Sequence, residues 1–383
     1  MRLLHTADWH LGRLFHNVSL LDDQRFVLDQ LIEIVDRDGV DAVLVAGDIF
    51  DRAIPPAGAV TLLDDVLYEL CDRRGLPVVM ISGNHDSAER LRFGARHLRK
   101  AGLYILSELD RIDTPVTLEA NGVTVDIFGI PYADPEHVRS TFKCEARDFD
   151  SAHRFLLERI EAARQKSRPT FLMSHCFVDG AAASDSERPL NLGGAESVAW
   201  EPMRGFDYVA LGHLHGPQYR GSEHIRYSGS LLKYSFSEAR QRKGVTLVDI
   251  DADGKLTFEW RTLAPRREVR VLEGELEHLL AQAQNEAVER REDYLLVRLT
   301  DRHAILDPMS KLRALYPNVL HLEKPGMLEA RGAQQLDREK LHFSALDMFS
   351  DFFEQTSGEA LDDDQKTVVR ALISELNKAE GGS

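Results

Sequence analysis

The chain has 383 residues, 43% of them hydrophobic, with 47 Lys and Arg against 63 Asp and Glu and a formal net charge of −16. That apolar content excludes wholesale disorder, and the length allows two or three domains with a large core. The acidic balance argues against gripping a polyanion through the bulk surface, but leaves open a local site where metal ions carry the positive charge.

Taken in chain order, the first 130 residues alternate strand-like and helix-like segments. Leu3–Thr6 is a short apolar run that stops at Asp8 and His10, with Trp9 between them and Gly12 just beyond. Asp22–Asp38 carries Phe26, Val27, Leu31, Ile34 and Val35 at helical spacing. The run "VDAVLVAGD" ends at Gly47-Asp48. Helical spacing returns over Pro56–Arg73, "LPVVMISGNHD" is a third buried strand, and Ser87–Arg99 is read as one helix. Strands this continuously apolar are buried on both faces, so the pattern predicts a layered α/β fold.

Beyond Gly122 the rhythm loosens. "GVTVDIFGIP" is a strand and Ser151–Lys166 a helix; "PTFLMSH" and "FDYVALGHLH" are apolar runs that stop at histidines. Val178–Ser197, rich in Gly, Ala and Ser, is a long loop of the kind often kept for function. Three strand-rich stretches close this part near Leu263. A smaller βαβαβ unit follows over 266–329, with helices at Leu276–Glu286 and Pro308–Leu315. A polar linker, 330–341, leads to a tail over 342–383 read as two helices. Ser344 and Asp347 make a capping-box-like start to the first. No internal repeat or low-complexity tract is seen.

Cys71, Cys144 and Cys176 are odd in number and widely spaced, which implies no disulfide framework or zinc ribbon and fits a reducing cytoplasm. The N-terminus has no signal-type apolar region, and no stretch approaches the roughly 18 apolar residues of a membrane span. A soluble, cytoplasmic protein with no membrane segment is expected.

Five apolar runs end in metal-type ligands: Asp8-x-His10, Gly47-Asp48-x-x-Asp51, Gly83-Asn84-His85-Asp86, Ser174-His175 and Gly212-His213-x-His215. Each alone has a bland reading. A lone strand-end histidine is usually a hydrogen-bonded boundary residue, and Gly-Asp is often a turn. Together they converge, because sites in open α/β sheets form outside the carboxyl ends of strands. The donors are oxygen and nitrogen with no sulfur, which suits Mn²⁺, Fe²⁺ or catalytic Zn²⁺ rather than a structural zinc. They outnumber what one ion needs. Two divalent ions about 3.5–4 Å apart would use them, an arrangement suited to hydrolysing phosphate esters.

In this order the motifs are the signature of the calcineurin-like metallophosphoesterases. "LLHTADWHLG", "VAGDIFD", "GNHDS", "ALGHLH" and "RYSGS", with the downstream units, resemble the SbcD-like nucleases over essentially the whole chain. The resemblance implies a β-sandwich metallophosphoesterase core flanked by helices (1–265), a small α+β cap (266–329), the linker, and a C-terminal helical hairpin. It implies one metal on Asp8, His10 and His215, a second on Asn84, His175 and His213, and Asp48 bridging. His85 would stand near the scissile phosphate without binding metal, with Asp86 orienting it and Asp51 bracing the loop. Trp9 is expected beneath the site; Arg13 and His16 are left between phosphate contact and a solvated loop.

The same resemblance implies a Mn²⁺-dependent DNA nuclease, 3′→5′ exonucleolytic on duplex ends and endonucleolytic on single strands or hairpins. It implies an SbcC-type ATPase partner, docked on the C-terminal helices through Leu346, Met348, Phe349, Phe352 and Phe353, and a homodimer within a heterotetramer. The dimer contact falls to Asp22–Asp38 or Pro56–Arg73. The chain has no G-x-x-x-x-G-K-[ST] loop of its own. Two rivals stay open: a phosphodiesterase for small molecules, and a scaffold that keeps the fold without catalysis.

Overall fold

In the strand Val123–Ile130, alternate side chains face two different cores. Val125 and Ile127 join Leu3, Leu44, Ile81, Phe171 and Met173 in one cluster. Phe128 and Ile130 turn the other way, to Leu156 and Ile160 of the helix Phe149–Ala163. This is the two-residue period of a strand buried on both faces, and it stacks sheet on sheet with a helix outside. The computed structural model describes residues 1–187, 196–301, 303, 305–324, 346, 349–350, 353–354 and 360–380. The expected linker 330–341 lies outside these residues, as do Ser344, Asp347, Met348 and Phe352.

The chain divides into two units, Met1–Arg266 and Arg267–Ser383. The first holds two six-stranded sheets. One runs, in spatial order, Leu256–Thr262, Gly244–Ile250, Arg2–Thr6, Ala42–Ala46, Val78–Ile81 and Leu103–Leu106. Its last four strands are parallel, so the ends of Arg2–Thr6, Ala42–Ala46 and Val78–Ile81 stand side by side. The other runs Gln218–Arg220, Ser222–Tyr227, Tyr208–Gly212, Thr170–His175, Val123–Ile130 and Val116–Ala120. There Gly212 is level with His175. Parallel neighbours need crossovers, and Leu21–Asp38 and Ala57–Leu67 are two of them, burying Val27, Leu31 and Val35, and Leu62 and Val66.

Two expected helices differ in detail. Ser87–Arg99 is not one helix: Ser87 caps a single turn, Ala88–Leu91, and a second turn, Ala95–Leu98, starts after Gly94. Gly94 has φ +74°, a left-handed conformation that ends one turn and starts the other. The helix after Pro56 is α-helical to Leu67 and widens to a π turn over Tyr68–Asp72.

The second unit has a parallel three-stranded sheet, Val269–Gly274, Tyr294–Leu299 and Val319–Glu323. Helices Leu276–Asn285 and Pro308–Arg313 supply Leu279, Ala283 and Leu312 to its core. A further helix spans Asp363–Glu380. No helix among the described residues is long and apolar enough to cross a membrane.

Candidate metal centre

The loops that follow the strand ends are stitched to one another by their backbones. Asp8 N–H donates to Gly47 O at 3.0 Å, and His10 N–H to Asp48 O at 2.9 Å. To run this way Asp8, His10, Asp48 and His213 all take positive φ (53°, 45°, 51° and 105°), costly for residues with a β-carbon. Gly47, at φ +92°, also leaves room for His175: a β-carbon there would lie 2.2 Å from His175 Nδ1. Gln24, buried on the first helix, carries this stretch by donating to His10 O at 2.7 Å and accepting from Gly12 N–H at 3.0 Å.

Each of two aspartates is anchored through one oxygen only. Asp8 Oδ1 accepts the His213 N–H at 2.9 Å, and Asp48 Oδ1 accepts the His85 N–H at 2.9 Å. Asp8 Oδ2 is buried with no hydrogen-bond partner, as is Nδ1 of His10. Asp48 Oδ2 stands 3.5 Å from His10 Nε2 and 3.5 Å from His175 Nε2. Around it the remaining donors form two groups. His10 Nε2 lies 3.0 Å from His215 Nε2, and Asp8, His10 and Asp48 offer ligand atoms within 4.8 Å of one another. Asn84 Oδ1 lies 3.0 Å from His175 Nε2 and 3.1 Å from His213 Nδ1. The structure thus brings Asp8, His10, Asp48, Asn84, His175, His213 and His215 together.

The electrostatics match a place made for cations. Burial and then the Asp48 charge act to raise the Asp8 carboxyl, and its pKa lies well above the usual range. Burial would raise Asp48 too, but His175 and His10 outweigh it and hold it well below that range. For His175 burial acts downward; the Asp48 carboxylate wins and pushes it up to about 9. Burial, aided by His175, holds His213 down to about 3. An unpartnered buried carboxylate oxygen costs about 1–3 kcal/mol unless positive charge meets it. Asp8 Oδ2, with oxygen and nitrogen donors all round, fits a pair of divalent cations. Cys176 stays out of it: buried, with its thiol pushed up to about 12 by that burial, it takes a hydrogen bond from Ser174.

His85 lies at the edge, its ring edge-to-face with His10 at 4.7 Å between centroids. Its Nδ1 is 2.8 Å from the backbone carbonyl of Asp51. The orienting contact therefore comes from Asp51, not Asp86. The Asp86 carboxylate accepts backbone N–H groups of Ile49, Phe50 and Gly83 at 2.9–3.1 Å and braces two strand-end loops. Trp9 is fully buried, donating to Thr6 Oγ1. Arg13 pairs with Asp51 at 3.2 Å, and His16 packs on Phe15 and Phe236. Ser186, Glu187, Glu238 and Lys243 also reach the centre, through His215. They sit in loops and, for Glu238, a short 3-10 turn, Phe236–Glu238, with no spacing that would mark them in the sequence.

A β-sandwich with carboxylates, an asparagine and histidines converging from five strand ends defines a calcineurin-like phosphoesterase, and residues 1–217 match that family. Residues 265–357 match the type 5 capsule protein repressor C-terminal domain. The SbcD subunit of the SbcCD nuclease from Staphylococcus epidermidis is 34% identical over 382 residues, covering all of both chains. Its namesake from Staphylococcus saprophyticus is 34% identical over 383 residues, covering 98% of each. The chain belongs to the SbcD family of calcineurin-like phosphoesterases.

Proposed function

We propose that this chain is a two-metal DNA nuclease subunit that cleaves duplex ends 3′→5′ and cuts single strands or hairpins, working with an SbcC-type ATPase. The observation that carries the reading is Asp48 Oδ2, equidistant at 3.5 Å from one histidine of each donor group. In this reading Asp8, His10 and His215 hold one cation, Asn84, His175 and His213 the other, and Asp48 both. The cations, Mn²⁺ by preference, would supply Lewis acidity toward the phosphoryl oxygens and a water of lowered pKa.

The chain's own residues do the rest. The single-oxygen anchoring of Asp8 and Asp48 holds each carboxylate in place while its other oxygen stays available. His85 donates from Nδ1 to Asp51 O, so Nε2 is the ring atom left free toward the leaving oxygen, and it can protonate that oxygen when the ring is the imidazolium, ending as the neutral Nδ1–H form. Arg13, tied to Asp51 and lying over the Tyr234 ring, places a guanidinium at the loop that carries His10.

Nucleic acid as substrate has local support despite the acidic total. Between Ala88 and Ala101, shortly after His85, the chain carries five exposed cations, Arg90, Arg92, Arg96, Arg99 and Lys100, against Glu89, with Arg92 paired to Glu108. Such a cluster suits phosphate backbones. For the partner, Val368 and Leu372, one turn apart on Asp363–Glu380, are 59% and 55% exposed, and Phe349 is 40% exposed. An apolar stripe left in water suits a groove on another protein. For the homodimer, Phe26, Val60 and Tyr68 stand exposed on the expected helices. The three free cysteines fit a cytoplasmic setting.

The test is cleavage of an end-labelled hairpin DNA by the purified chain with Mn²⁺, beside His85→Ala of equal metal content. Cutting by the wild type and its loss in the variant is the expected result. No cutting with or without SbcC and ATP, with two metals bound, would turn the reading to a small-molecule phosphodiesterase.

A further inference from the structure

His215 is held at three of its atoms by side chains from two stretches without a motif. Its backbone N–H donates to Glu187 Oε1 at 2.8 Å. Its carbonyl accepts from Lys243 Nζ at 2.8 Å. Its ring Nδ1 lies 2.6 Å from Ser186 Oγ and 3.3 Å from Glu238 Oε1. Glu238 is fully buried, Lys243 is 5% exposed, and the two pair at 2.5 Å.

The directions of these bonds leave one ring form. Glu238, paired with Lys243, is a carboxylate and only accepts. The Ser186 hydroxyl donates to it, so the Ser186 oxygen is left to accept from His215. The proton of the ring therefore sits on Nδ1, and the lone pair sits on Nε2, the atom 3.0 Å from His10 Nε2. A buried ion pair is a poor way to gain stability, because an apolar pair of the same volume does as well. Its position against one histidine calls for a different explanation.

We propose that the half-buried Ser186 and the buried Glu238 and Lys243 form a clamp that positions His215 with Nε2 as its ligating atom. The clamp sets the affinity for the cation at Asp8, His10 and His215 and leaves the cation at Asn84, His175 and His213 unaffected. This rests on the reading of His215 as a metal ligand. The three clamp residues touch neither substrate nor cation and act through His215.

Removing Glu238 alone would strand the Lys243 charge, so the informative variants are the neutral pair E238Q/K243M and, separately, Ser186→Ala. Two measurements are made on protein stripped of metal and shown to be folded. One is the two-bond ¹H–¹⁵N spectrum of the histidine rings, with His215→Gln assigning the signal. The other is a Mn²⁺ titration that counts sites and affinities. The wild type is expected to show His215 protonated at Nδ1 and to bind two Mn²⁺. Both variants should lose that single ring form. In E238Q/K243M one Mn²⁺ should bind about 10–100-fold more weakly while the other is unchanged.

An unchanged ring form, or two sites of wild-type affinity, overturns the clamp. So does equal weakening of both sites, which marks a general loosening. Should E238Q/K243M fail to fold, Ser186→Ala, which removes no charge, decides by the same two readouts. A wild type that binds fewer than two Mn²⁺ defeats the ligand reading itself, and is told apart because it shows in the unsubstituted protein.

Discussion

The backbone N–H of His213 donates to Asp8 Oδ1 at 2.9 Å, joining the loop after a strand of one sheet to the loop after a strand of the other. Each residue is carried to the rim by its own sheet, Asp8 through Gly47 O and His213 directly after Gly212, and this bond fixes one rim against the other. The candidate centre exists only when the sandwich is closed, and its carboxylates are structural acceptors through one oxygen while the other faces the proposed cation positions.

That double duty separates two effects in Asp8→Asn. The amide oxygen can still accept from His213, but the buried charge is gone. Metal-free protein should melt at the wild-type temperature or slightly above, since burial disfavours the Asp8 carboxylate. The stabilisation conferred by Mn²⁺ should be largely lost. Thermal melts with and without Mn²⁺ check this; an unchanged Mn²⁺ shift would remove Asp8 from the ligands.

Asp86→Ala should act on stability first. It leaves the N–H groups of Ile49, Phe50 and Gly83 without their acceptor, at a cost on the order of 2–4 kcal/mol. Denaturant unfolding of the metal-free protein checks it. His85→Ala should cost far less stability while removing more of the cleavage.

Gly83→Ala should disable the centre by crowding. A β-carbon there would stand 2.1 Å from Asp48 Oδ1 and 2.4 Å from Asp48 N, so the loop must shift. A displacement of that size is expected to lower cleavage roughly 100-fold or more. Metal content should fall below that of the wild type, measured by elemental analysis after desalting.

His5, outside the set of candidate ligands, predicts a pH dependence of stability. It is fully buried between Tyr208 OH at 2.8 Å and Leu211 O at 3.1 Å, and burial lowers its pKa to about 3. The unfolded chain takes up a proton near pH 6.5 and the folded chain does not. His5 therefore favours folding fully above 6.5, and this is lost as pH falls from 6.5 toward 3, by about 1.4 kcal/mol per unit. In metal-free protein, His5→Gln should show a shallower loss of stability between pH 6.5 and 4.5 than the wild type.

Deleting residues 342–383 should abolish binding to the SbcC-type partner while sparing Mn²⁺-dependent cleavage by the remaining chain. Co-purification of the truncated chain with that partner would refute the docking assignment.

Asp8, His10, Asp48, Asn84, His175, His213 and His215 stand out as candidates in the residue pattern alone, for a local reason. A buried strand must be apolar, so the first polar donors after it mark where the chain leaves the core. The α/β alternation shows through for the same reason. The single helix expected over Ser87–Arg99 fails at Gly94, where periodicity continues across a left-handed residue that breaks the hydrogen-bond ladder.

Side-chain chemistry and its spacing along strands are properties of the chain, and they determine which residues can bind metal and that they gather at one rim. Which donor faces which is a property of closure. His10 meets His215 across 205 positions, and Asn84 meets both His175 and His213, because two sheets pack with their strand ends together. The partner of His85 is a main-chain carbonyl, which every residue has and no pattern marks. Ser186, Glu238 and Lys243 carry no mark in the sequence until folding brings them against His215, with Glu238 and Lys243 buried there. Their charges and hydrogen bonds acquire direction only in that low-dielectric contact, which only the tertiary structure creates.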